Sequence, residues 1–408
     1  MVVAAMRDEG EEGRRRAVVA IRDYDPKTDR DGTEAVEREC EVGPAAAAGG
    51  MSLHADLLGD PVARIRHSPH YLMLVAETSG PDGRIVALVR GTVKSVASGK
   101  SRPGAPAFAR VGYILGLRVA PSHRRMGIAR QLVHRLEQWF ELMGAEYAYM
   151  ATDRSNEASL RLFTGRCGYS KFRTPSLLVH PVHSHRLRAP RRATVVRLGA
   201  RDAERLYRSR LAHVEFFPAD IGAVLGNALS RGTFLATVGG YEWGGVDRFL
   251  ACPPASWAVA SAWDCGGVFR LQVRGASRLR RAAAAATRAL DRAAKWLRVP
   301  SVPDFFRPFA GWFVYGLAGS GGRDAALAAE AVFASIVNMA RGRAAAVAVE
   351  VAAMDPLRGR IPHWRRLSCT EDLWCMKRLG AGGGGHADGW DWARSAPGQS
   401  IFVDPREV

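Results

Sequence analysis

The chain has few cysteines, few lysines and no long apolar run. Its six cysteines form no C-x-x-C pair, which favours reduced thiols, mostly in the core, over a disulfide framework or a zinc site. No stretch approaches the roughly 20 uncharged apolar residues of a membrane-spanning helix. The first residues also lack the ordered charged, apolar and small segments of a secretory signal. We therefore expect an intracellular protein with no membrane contact.

Lysine is scarce because arginine takes its place: only six of the 58 cationic residues are lysine. The net charge of +18 attracts anions such as nucleic acid, acidic proteins or a small polyanion such as coenzyme A. Nine arginines lie between Arg186 and Arg210, in a segment that is either a solvated boundary or a contact for an acidic protein, nucleic acid or nuclear import. His180, His183 and His185 could chelate a metal, but such a group is more often a polar connector, and we expect no metal.

Apolar patterns in the first half predict a mixed α/β layer. Strands are expected at 17–26, 70–78, 83–93, 110–119, 145–153 and 176–182, and helices at 30–43, 128–143 and 155–166. A short helix around Ser52 to Leu58 and a Gly/Pro/Ser loop from Ala97 to Pro106 complete the pattern. If the alternation is regular, one face of the fourth strand carries Tyr113, Leu115, Leu117 and Val119.

The second half repeats the order of the first. Strand, Gly-rich turn, helix and strand recur over 311–351, and 372–379 stands where 176–182 stood. We therefore predict an α/β (α+β) fold with a central mixed, mostly antiparallel sheet flanked by helices, and a second, degenerate copy of it. The expected units are a disordered N-terminus (1–14), a cofactor-binding domain (15–185) with a low-complexity insertion (44–50), a basic linker (186–193), a second α/β domain (194–380) and a flexible tail (381–408).

The stretch "LRVAPSHRRMGIARQLV" joins a strand that ends at Val119 to a helix that begins near Gly127. The first N–H groups of a helix have no helical partner, and together with the positive end of the helix dipole they favour phosphate-bearing anions. Gly127 lets the backbone come close to a ligand, and Arg124 and Arg125 add positive charge. This turn is therefore predicted to hold a pyrophosphate.

Arg124-x-x-Gly127-x-Ala129 resembles the acetyl-CoA loop of the GNAT acyltransferases, Q/R-x-x-G-x-G/A after the fourth strand, and "NEASLRLF" resembles the second signature of that family. "GYILGLRVAPSHRRMGIARQLV", "GAEYAYMATD" and "NEASLRLFTGRCGYSKFRTPSLLVHPVHSHR" are similar to the plant Hookless family of N-acetyltransferases. The resemblance implies a GNAT fold over about residues 15 to 185 and acetyl-CoA as cosubstrate. It also implies a protein amine as acceptor, with histones as a candidate, and a nuclear regulator of differential growth and hormone response.

The resemblance also implies roles for individual residues. Main-chain N–H groups from Arg125 to Ala129 would hold the pyrophosphate, and those near Leu117 and Val119 would pair with the pantetheine arm and polarise the thioester carbonyl. Asn156 would lie near the pantetheine. The full set of expected cofactor-binding residues is Leu117, Val119, Arg124, Arg125, Met126, Gly127, Ile128, Ala129, Asn156, Ser159 and Phe163.

The chain departs from the family pattern at the catalytic positions. Phe163 stands where many relatives have a tyrosine that protonates the leaving thiolate, and Tyr169 replaces it only if the helix end shifts. Tyr113 stands where some relatives have a glutamate base. The candidate catalytic residues are therefore Tyr113, Glu77 and Tyr169. Carboxylates such as Glu77, Glu146 and Asp153 are more often surface or helix-capping residues than catalytic bases. A chain of water molecules could serve as the base instead.

Three functions remain open from the sequence. The first is an active acetyl-CoA-dependent N-acetyltransferase, and the second is a cofactor-sensing or scaffolding protein that has lost efficient catalysis. The third, a nucleic-acid-binding module, lacks any signature beyond charge. The charge of +18 opposes a basic histone tail unless an acidic partner intervenes or Glu137, Glu141 and Glu146 form an acidic groove.

Overall fold

The computed structural model describes residues 19–40, 51–80, 83–102, 105–369, 372–380 and 391–408. The expected disordered N-terminus, the low-complexity insertion at 44–50 and the first ten residues of the expected tail lie outside the described residues.

Fifteen strands and eight α-helices make up the described part of the chain. The strands are β1 (Val19–Asp23), β2 (Ser52–Asp56), β3 (His70–Thr78), β4 (Ile85–Arg102), β5 (Ala105–Val119), β6 (Tyr147–Asp153), β7 (Ser170–Arg173), β8 (Ser176–Pro181), β9 (Ala193–Leu198), β10 (Ser230–Val238), β11 (Trp257–Asp264), β12 (Arg270–Arg274), β13 (Gly311–Ser320), β14 (Ala346–Val351) and β15 (Asp372–Arg378). The helices are α1 (Arg30–Glu39), α2 (Ile128–Leu142), α3 (Glu157–Arg166), α4 (Ala200–Leu211), α5 (Ile221–Leu225), α6 (Val246–Ala251), α7 (Arg278–Ala293) and α8 (Gly322–Ala340).

The strands form two large sheets. The first has the order β1-β3-β4-β5-β6-β15-β7 and the second the order β8-β14-β13-β11-β10-β9, while β2 and β12 pair apart from both. Each large sheet has one parallel pair, β5 with β6 and β13 with β14, and its other neighbours are antiparallel. The predicted fold class, a mixed and mostly antiparallel sheet followed by a second copy, is confirmed.

One strand of each sheet comes from the other half of the chain. β15 lies between β6 and β7 in the first sheet, and β8 pairs with β14 at the edge of the second. The assignment of 176–182 to the first copy and of 372–379 to the second is therefore wrong. Local alternation predicts that a segment is a strand, but it does not specify the partner. Because of this exchange, no single cut in the chain separates the two sheets.

Two local predictions also fail because of long-range pairing. The segment expected to be a helix at Ser52 to Leu58 contains β2, which pairs with β12. The segment expected to be a loop from Ala97 to Pro106 is crossed by β4 and β5, which still face each other at Ser101 and Pro106. In the first segment a strand partner distant in sequence outweighs the local helical pattern, and in the second the hairpin partner outweighs the local Gly, Pro and Ser signals.

The expected flexible tail does not hold for residues 391–408, which pack into the core. Trp392 is fully buried, lies 4.9 Å from the ring of Phe216, and donates its indole N–H to Glu215 at 2.7 Å. Lys94 on β4 pairs with Asp404 at 3.1 Å and with Glu407 at 2.7 Å. Glycine-rich neighbours hide these anchors in the sequence, although burial of one tryptophan already stabilises the folded chain substantially.

The two sheets pack against each other through one face each. On that face, Tyr149 of β6 and Tyr315 of β13 belong to the same buried cluster, and we call it the inter-sheet face. The opposite face of the first sheet is covered by α2 through residues such as Leu132 and Phe140, and the opposite face of the second is covered by α8. α2 buries a stripe at helical spacing, as an amphipathic helix on a sheet should, whereas α8 is buried at consecutive positions from Ala331 to Ala334.

Candidate active site

The site begins where β5 and β6 part. The two strands pair only over Val111–Ile114 with Tyr147–Met150. Beyond that point β5 continues along β4 to Val119, whereas β6 continues along β15 to Asp153. We call the space between them the cleft. Within the described chain, the edge of β5 that faces the cleft has no strand partner after Ile114, so its N–H and C=O groups can pair with an extended ligand.

A β-bulge at Gly116 precedes the free edge. Arg90 faces Leu115 and Leu88 faces Arg118, so three steps along β5 match two steps along β4. Gly116 has φ +63°, in the left-handed region that glycine adopts without the penalty of a Cβ.

The bulge reverses the faces of the residues that follow it. Tyr113 and Leu115 point into the inter-sheet core, whereas Leu117 and Val119 pack with the core beneath α2. The expectation that all four share one face is therefore wrong, because the alternation is broken at Gly116.

The N–H group of Val119 faces the cleft. The next residue, Ala120, donates its N–H to the carbonyl of Val86 on β4 at 2.8 Å. Because N–H groups alternate between the two edges of a strand, those of Val119 and Leu117 point away from β4. The carbonyl of Val119 points the same way and accepts bonds from Arg124 Nε at 3.2 Å and Cys40 Sγ at 3.3 Å. Both residues expected to pair with a pantetheine arm thus lie on the free edge.

The turn before α2 presents a row of unpaired main-chain donors. The first intrahelical bond runs from Gln131 N–H to Gly127 O at 3.1 Å. We call Arg125 to Ala129 the cradle. The N–H groups of these five residues have no hydrogen-bond partner among the described residues. Arg125 and Gly127 have φ values of +64° and +83°, which turn successive N–H groups toward one side. Such a nest at a helix N-terminus is an anion-binding geometry.

One side of the cradle is open to solvent, and the other packs against the core through Ile128. Arg124 and Arg125 are exposed, Met126 and Ala129 are partly buried, and Ile128 is fully buried beneath α2. Within 4 Å, a Cβ added at Gly127 would meet only the side-chain Nε2 of Gln131, at 3.9 Å. The glycine therefore serves the backbone conformation and leaves the approach to the N–H groups open.

The start of α3 lies at the end of β6, on the other side of the cleft. Asn156 is the N-cap, and its side-chain oxygen accepts the N–H of Ser159 at 3.2 Å. Its side chain is exposed, so its amide group can also reach a ligand in the cleft. Phe163, two turns further along α3, is 2% exposed and packs edge-on against Tyr169 at 5.2 Å. Phe163 therefore contributes packing beneath the site.

Tyr169 lies away from the open part of the cleft. It is 3% exposed, and the ammonium group of Lys377 lies 5.7 Å from the centre of its ring. Lys377 pairs with Ala148, which is inside the part of β6 still bonded to β5. Burial and the neighbouring Glu137 carboxylate raise the pKa of Tyr169 well above its ordinary value, so its hydroxyl stays protonated. The structure does not bring it to the expected thioester position.

Tyr113 lies one residue before the cleft opens, on the inter-sheet face. Its ring contacts that of Tyr149 at 4.7 Å, and the side chain is 8% exposed. Burial, followed by the negative charge of Glu407, raises the pKa of Tyr113 well above its ordinary value. A neutral phenol at this position can donate or accept a hydrogen bond, but it is a poor base at neutral pH.

The three carboxylates considered from the sequence occupy different places. Glu77 is on β3, separated from β5 by β4, and pairs with Arg22 at 2.8 Å. Glu146 is at the closed end of the cleft, where its backbone bonds to that of Arg110. Asp153 is at the open end, but hydrogen bonds from Ser155 lower its pKa. None of the three is therefore a free carboxylate at the open end of the cleft.

Sequence reasoning missed two acidic residues whose pKa values are raised, Glu350 of β14 and Asp372 of β15. Burial, followed by the charge of Asp372, raises the pKa of Glu350 to about 8, and burial raises the pKa of Asp372 to about 6. The only signal for Glu350 is an acid within the apolar run "AVAVEV", on a strand buried from both sides. Asp372 gives no signal, because the sequence assigns its strand to the other sheet.

The described residues contain no group of three or more His, Cys, Asp or Glu side chains arranged to hold a metal ion. His183 and His185 are buried and bond to Ser301 and Asp291, at 3.1 Å and 2.7 Å, and so tie this connector to α7. All six cysteines are free thiols. No helix in the described part of the chain is both long and apolar enough to cross a bilayer.

Comparison with known proteins agrees with this geometry. Residues 51–169 match the model of the acetyltransferase (GNAT) family. The chain is 51% identical to Probable N-acetyltransferase HLS1 of Arabidopsis thaliana, over 96% of this chain and 100% of that protein. It is 40% identical to Acetyl transferase GW6a of Oryza sativa subsp. japonica, over 96% of this chain and 98% of that protein.

The fold of the whole chain also has a counterpart among solved structures. Saccharomyces cerevisiae N-myristoyltransferase superposes with a TM-score of 0.54 at 9% identity, and the match covers 95% of this chain and 85% of that one. At this identity the likeness concerns the fold alone. It extends over both sheets and therefore supports the tandem arrangement.

Proposed function

Because the chain belongs to the GNAT acetyltransferase family, we propose that it transfers the acetyl group of acetyl-CoA to an amine at the cleft between β5 and β6. The observation that carries this proposal is the row of unpaired N–H groups from Arg125 to Ala129. These donors, the exposed Arg124 and Arg125 and the helix dipole of α2 together suit a pyrophosphate. The residues present therefore fit acetyl-CoA.

The free edge of β5 supplies the second part of the proposal. Acetyl-CoA brings an acetyl group activated as a thioester. The N–H groups of Leu117 and Val119 face the cleft and donate hydrogen bonds, so they stabilise negative charge that develops on a carbonyl oxygen there. The rigid pairing of β5 to β4 fixes these donors before the reaction. Positioning of the amine in line with the acetyl carbon then supplies much of the acceleration.

The finer assignment concerns the acceptor and the setting. A lysine side chain of a protein, with histone tails as a candidate, and a nuclear role in plant growth and hormone response rest on the resemblance to the Hookless proteins. The net charge of +18 opposes a basic tail at long range. Glu137 pairs with Lys377 at 2.9 Å and Glu141 accepts the N–H of Gly380 at 3.1 Å, so two acids of the expected groove are already engaged. An acidic partner protein would favour the histone assignment.

A second candidate function is a regulatory or scaffolding protein that binds acetyl-CoA with little turnover. The burial of Phe163 and the distance of Tyr169 from the open cleft favour it, because neither side chain can protonate a leaving thiolate there. The two candidates share the cofactor site and differ only in thiol release.

The test compares two glycines with positive φ at the start of equivalent helices. Gly127 (φ +83°) starts α2, and Gly322 (φ +60°) starts α8, and both have open space where a Cβ would be added. Acetyl-CoA binding is measured by calorimetry for the native chain, Gly127→Glu and Gly322→Glu. A carboxylate at Gly127 repels the pyrophosphate and should weaken binding by about 100-fold, or about 2.7 kcal/mol. Gly322→Glu carries the same strain and charge and should bind normally.

Thiol release with mixed lysine peptides then separates the two candidate functions. Release that depends on peptide supports the transferase. Binding with no release by the native chain supports the regulatory protein. Failure of the native chain to bind acetyl-CoA, or equal binding by Gly127→Glu, overturns both.

A further inference from the structure

The helix α7 and the turn after it, residues 278–298, expose large apolar side chains to solvent. Of the eleven such side chains that are exposed among the described residues, four belong to this segment. They are Leu279 (83% exposed), Leu290 (46%), Trp296 (76%) and Leu297 (58%). A single exposed leucine is ordinary, but a group of large apolar side chains on one segment is typical of an interaction surface.

The opposite face of α7 is fixed to the rest of the protein. Asp291 is fully buried and accepts hydrogen bonds from the N–H of Ser184 at 2.7 Å and from the hydroxyl of Ser301 at 2.6 Å. Its carboxylate also lies 2.7 Å from the ring of His185. Ala284, two turns earlier on the same face, is 5% exposed. Because these contacts fix the rotation of the helix about its axis, the exposed side of α7 is a constant feature of the fold.

Helical spacing divides the exposed side of α7 into an apolar part and a basic part. The apolar part, with the turn that follows it, is named the α7 strip and comprises Leu279, Ala282, Ala283, Ala286, Ala289, Leu290, Ala293, Trp296 and Leu297. Between its leucines the α7 strip is shallow, because alanine carries a single methyl group. A partner helix can approach such a surface closely, since the distance between two helix axes depends on the side chains at the contact.

The basic part follows one long edge of the α7 strip. The exposed cations of the segment are Arg278, Arg280, Arg281, Arg292 and Lys295. None of these five forms an ion pair with an acid in the described part of the chain, whereas the half-buried Arg288 pairs with Asp304 at 3.7 Å. The only acid of the segment is the buried Asp291. The surface therefore offers positive charge beside apolar groups, with no negative charge of its own to offset it.

Charge and shape together select one occupant for this surface. A second copy of the chain would bring two sets of arginines together, and like charges at a contact repel. An anionic membrane suits the charge, but alanines make up most of the α7 strip and bury little apolar area in lipid. An acidic amphipathic helix satisfies both requirements, because its apolar face packs over the alanines while its carboxylates pair with the arginines beside them.

We propose that the α7 strip is a docking surface for an acidic amphipathic helix of a partner protein. α7 has 16 residues and is about 24 Å long, so it can contact about four turns of the partner. Apolar side chains of the partner pack between Leu279 and Leu290, and its carboxylates pair with Arg278, Arg281 and Arg292. α7 contributes no residue to the cleft, so this surface is independent of the proposed acetyl transfer.

The test measures the binding of two synthetic acidic peptides to the full chain by fluorescence anisotropy. The first, of about 18 residues, has leucines at every third or fourth position and glutamates on both sides of the leucine face. The second has the same composition, but its leucines are spread around the helix. The chain should bind the first peptide at least about tenfold more tightly than the second, because only the first presents an apolar face with carboxylates beside it.

Two substitutions and two matched controls locate the binding site. Leu279→Glu places a charge in the α7 strip, and Leu142→Glu changes a leucine of similar exposure, 80%, at the end of α2. Arg278→Glu reverses a charge beside the α7 strip, and Arg135→Glu reverses an exposed charge on α2. Leu279→Glu and Arg278→Glu should each weaken binding of the first peptide by about tenfold or more, and the controls should bind it normally. All four side chains are exposed, so circular dichroism should show a native fold.

The other occupants are tested with the same variants. Cosedimentation with phosphatidylserine vesicles measures membrane binding, and sedimentation equilibrium of the chain alone measures self-association. If Leu279→Glu abolishes either of these while the native chain ignores the first peptide, the α7 strip belongs to a membrane or to a second copy, and the proposal is overturned. Equal binding of the two peptides also overturns it, because charge alone then attracts them. Loss of acetyl-CoA binding or of thiol release by the native chain bears on the proposed transfer and leaves this inference intact.

Discussion

The two sheets share a strand arrangement but differ at the turn that we propose binds acetyl-CoA. In each, four residues pair in parallel before the strands part, at Ile114 in the first and at Val314 in the second. A bulge follows two residues later, and Gly116 and Gly316 have the same φ of +63°. The turn, however, runs over eight residues between β5 and α2, whereas only Gly321 separates β13 from α8.

The shorter turn leaves the second sheet without a cradle. A side chain at Gly321 would collide with Ser256 and with the carbonyl of Ala255, so the lead-in to β11 closes over the start of α8. Asp324 in the first turn of α8 offsets the charge of Arg323 beside it, whereas α2 has two arginines just ahead of it and no acid in its first turn. A helix N-terminus is therefore not sufficient for pyrophosphate, because the approach and the charge must fit as well.

The largest expected effect tests whether the two sheets are one unit. Lys94→Met removes the partner of Asp404 and Glu407, and a buried ion pair that loses one member costs about 3–5 kcal/mol. Urea unfolding followed by circular dichroism should lose that much free energy in one transition. Arg161→Met, which removes an exposed i,i+4 pair with Glu157, should change it by less than about 0.5 kcal/mol. Two separate transitions would contradict a single cooperative unit.

The sequence predicts what depends on local pattern. Periodicity predicts β3 with its observed bounds, His70–Thr78, and the helix that becomes α2 within one residue. The arginines and Gly127 predict the cradle, because its donors are main-chain groups that any helix start provides. The bulge at Gly116 is not predicted, since an isolated glycine in a strand signals either a bulge or a close contact.

The remaining failures concern partners distant in sequence. β15 and the C-terminal segment bind to strands more than 200 residues earlier, as in the pair of Met376 with Tyr149, and no local pattern encodes that choice. The indole N–H of Trp374 on β15 donates to Glu350 of β14 at 3.0 Å through the same exchange of strands. Contacts between the two sheets of this kind cannot be predicted from local sequence.

The second expected effect is a pH dependence of stability that arises at His180 in the second sheet. Burial and the neighbouring His183 lower the pKa of His180 on β8 to about 4. The folded state disfavours the proton, so stability falls as pH drops from the ordinary value of about 6.5 toward 4, by up to about 3 kcal/mol. Urea unfolding of the native chain and of His180→Asn at several pH values should converge as the pH falls through this window. A constant difference between them would contradict the prediction.

A third prediction substitutes both bulge glycines, in order to separate effects on stability from effects on acetyl-CoA binding. An added Cβ would lie 2.6 Å from Arg90 Nη1 in Gly116→Ala and 2.7 Å from the Tyr207 hydroxyl in Gly316→Ala. With φ at +63° in both, each variant should lose about 1–3 kcal/mol of unfolding free energy. Calorimetry should show weaker acetyl-CoA binding only for Gly116→Ala, because only its bulge sets the edge that faces the cleft. Equal loss of binding in both variants would mean that the two openings are not functionally distinct.

The smallest effect concerns the charge of the cradle. Arg124→Gln leaves the main-chain donors in place and removes one exposed cation, so acetyl-CoA affinity should fall by about 1 kcal/mol or less, roughly fivefold. Arg323→Gln at the start of α8 removes an exposed cation of the same kind from the second sheet and should leave affinity unchanged. Because exposed charges are screened, the effect of Arg124→Gln should shrink at high salt. Equal weakening by both variants would mean that the net charge of the protein attracts acetyl-CoA. The turn before α2 would then not be favoured over the turn before α8 as the binding site.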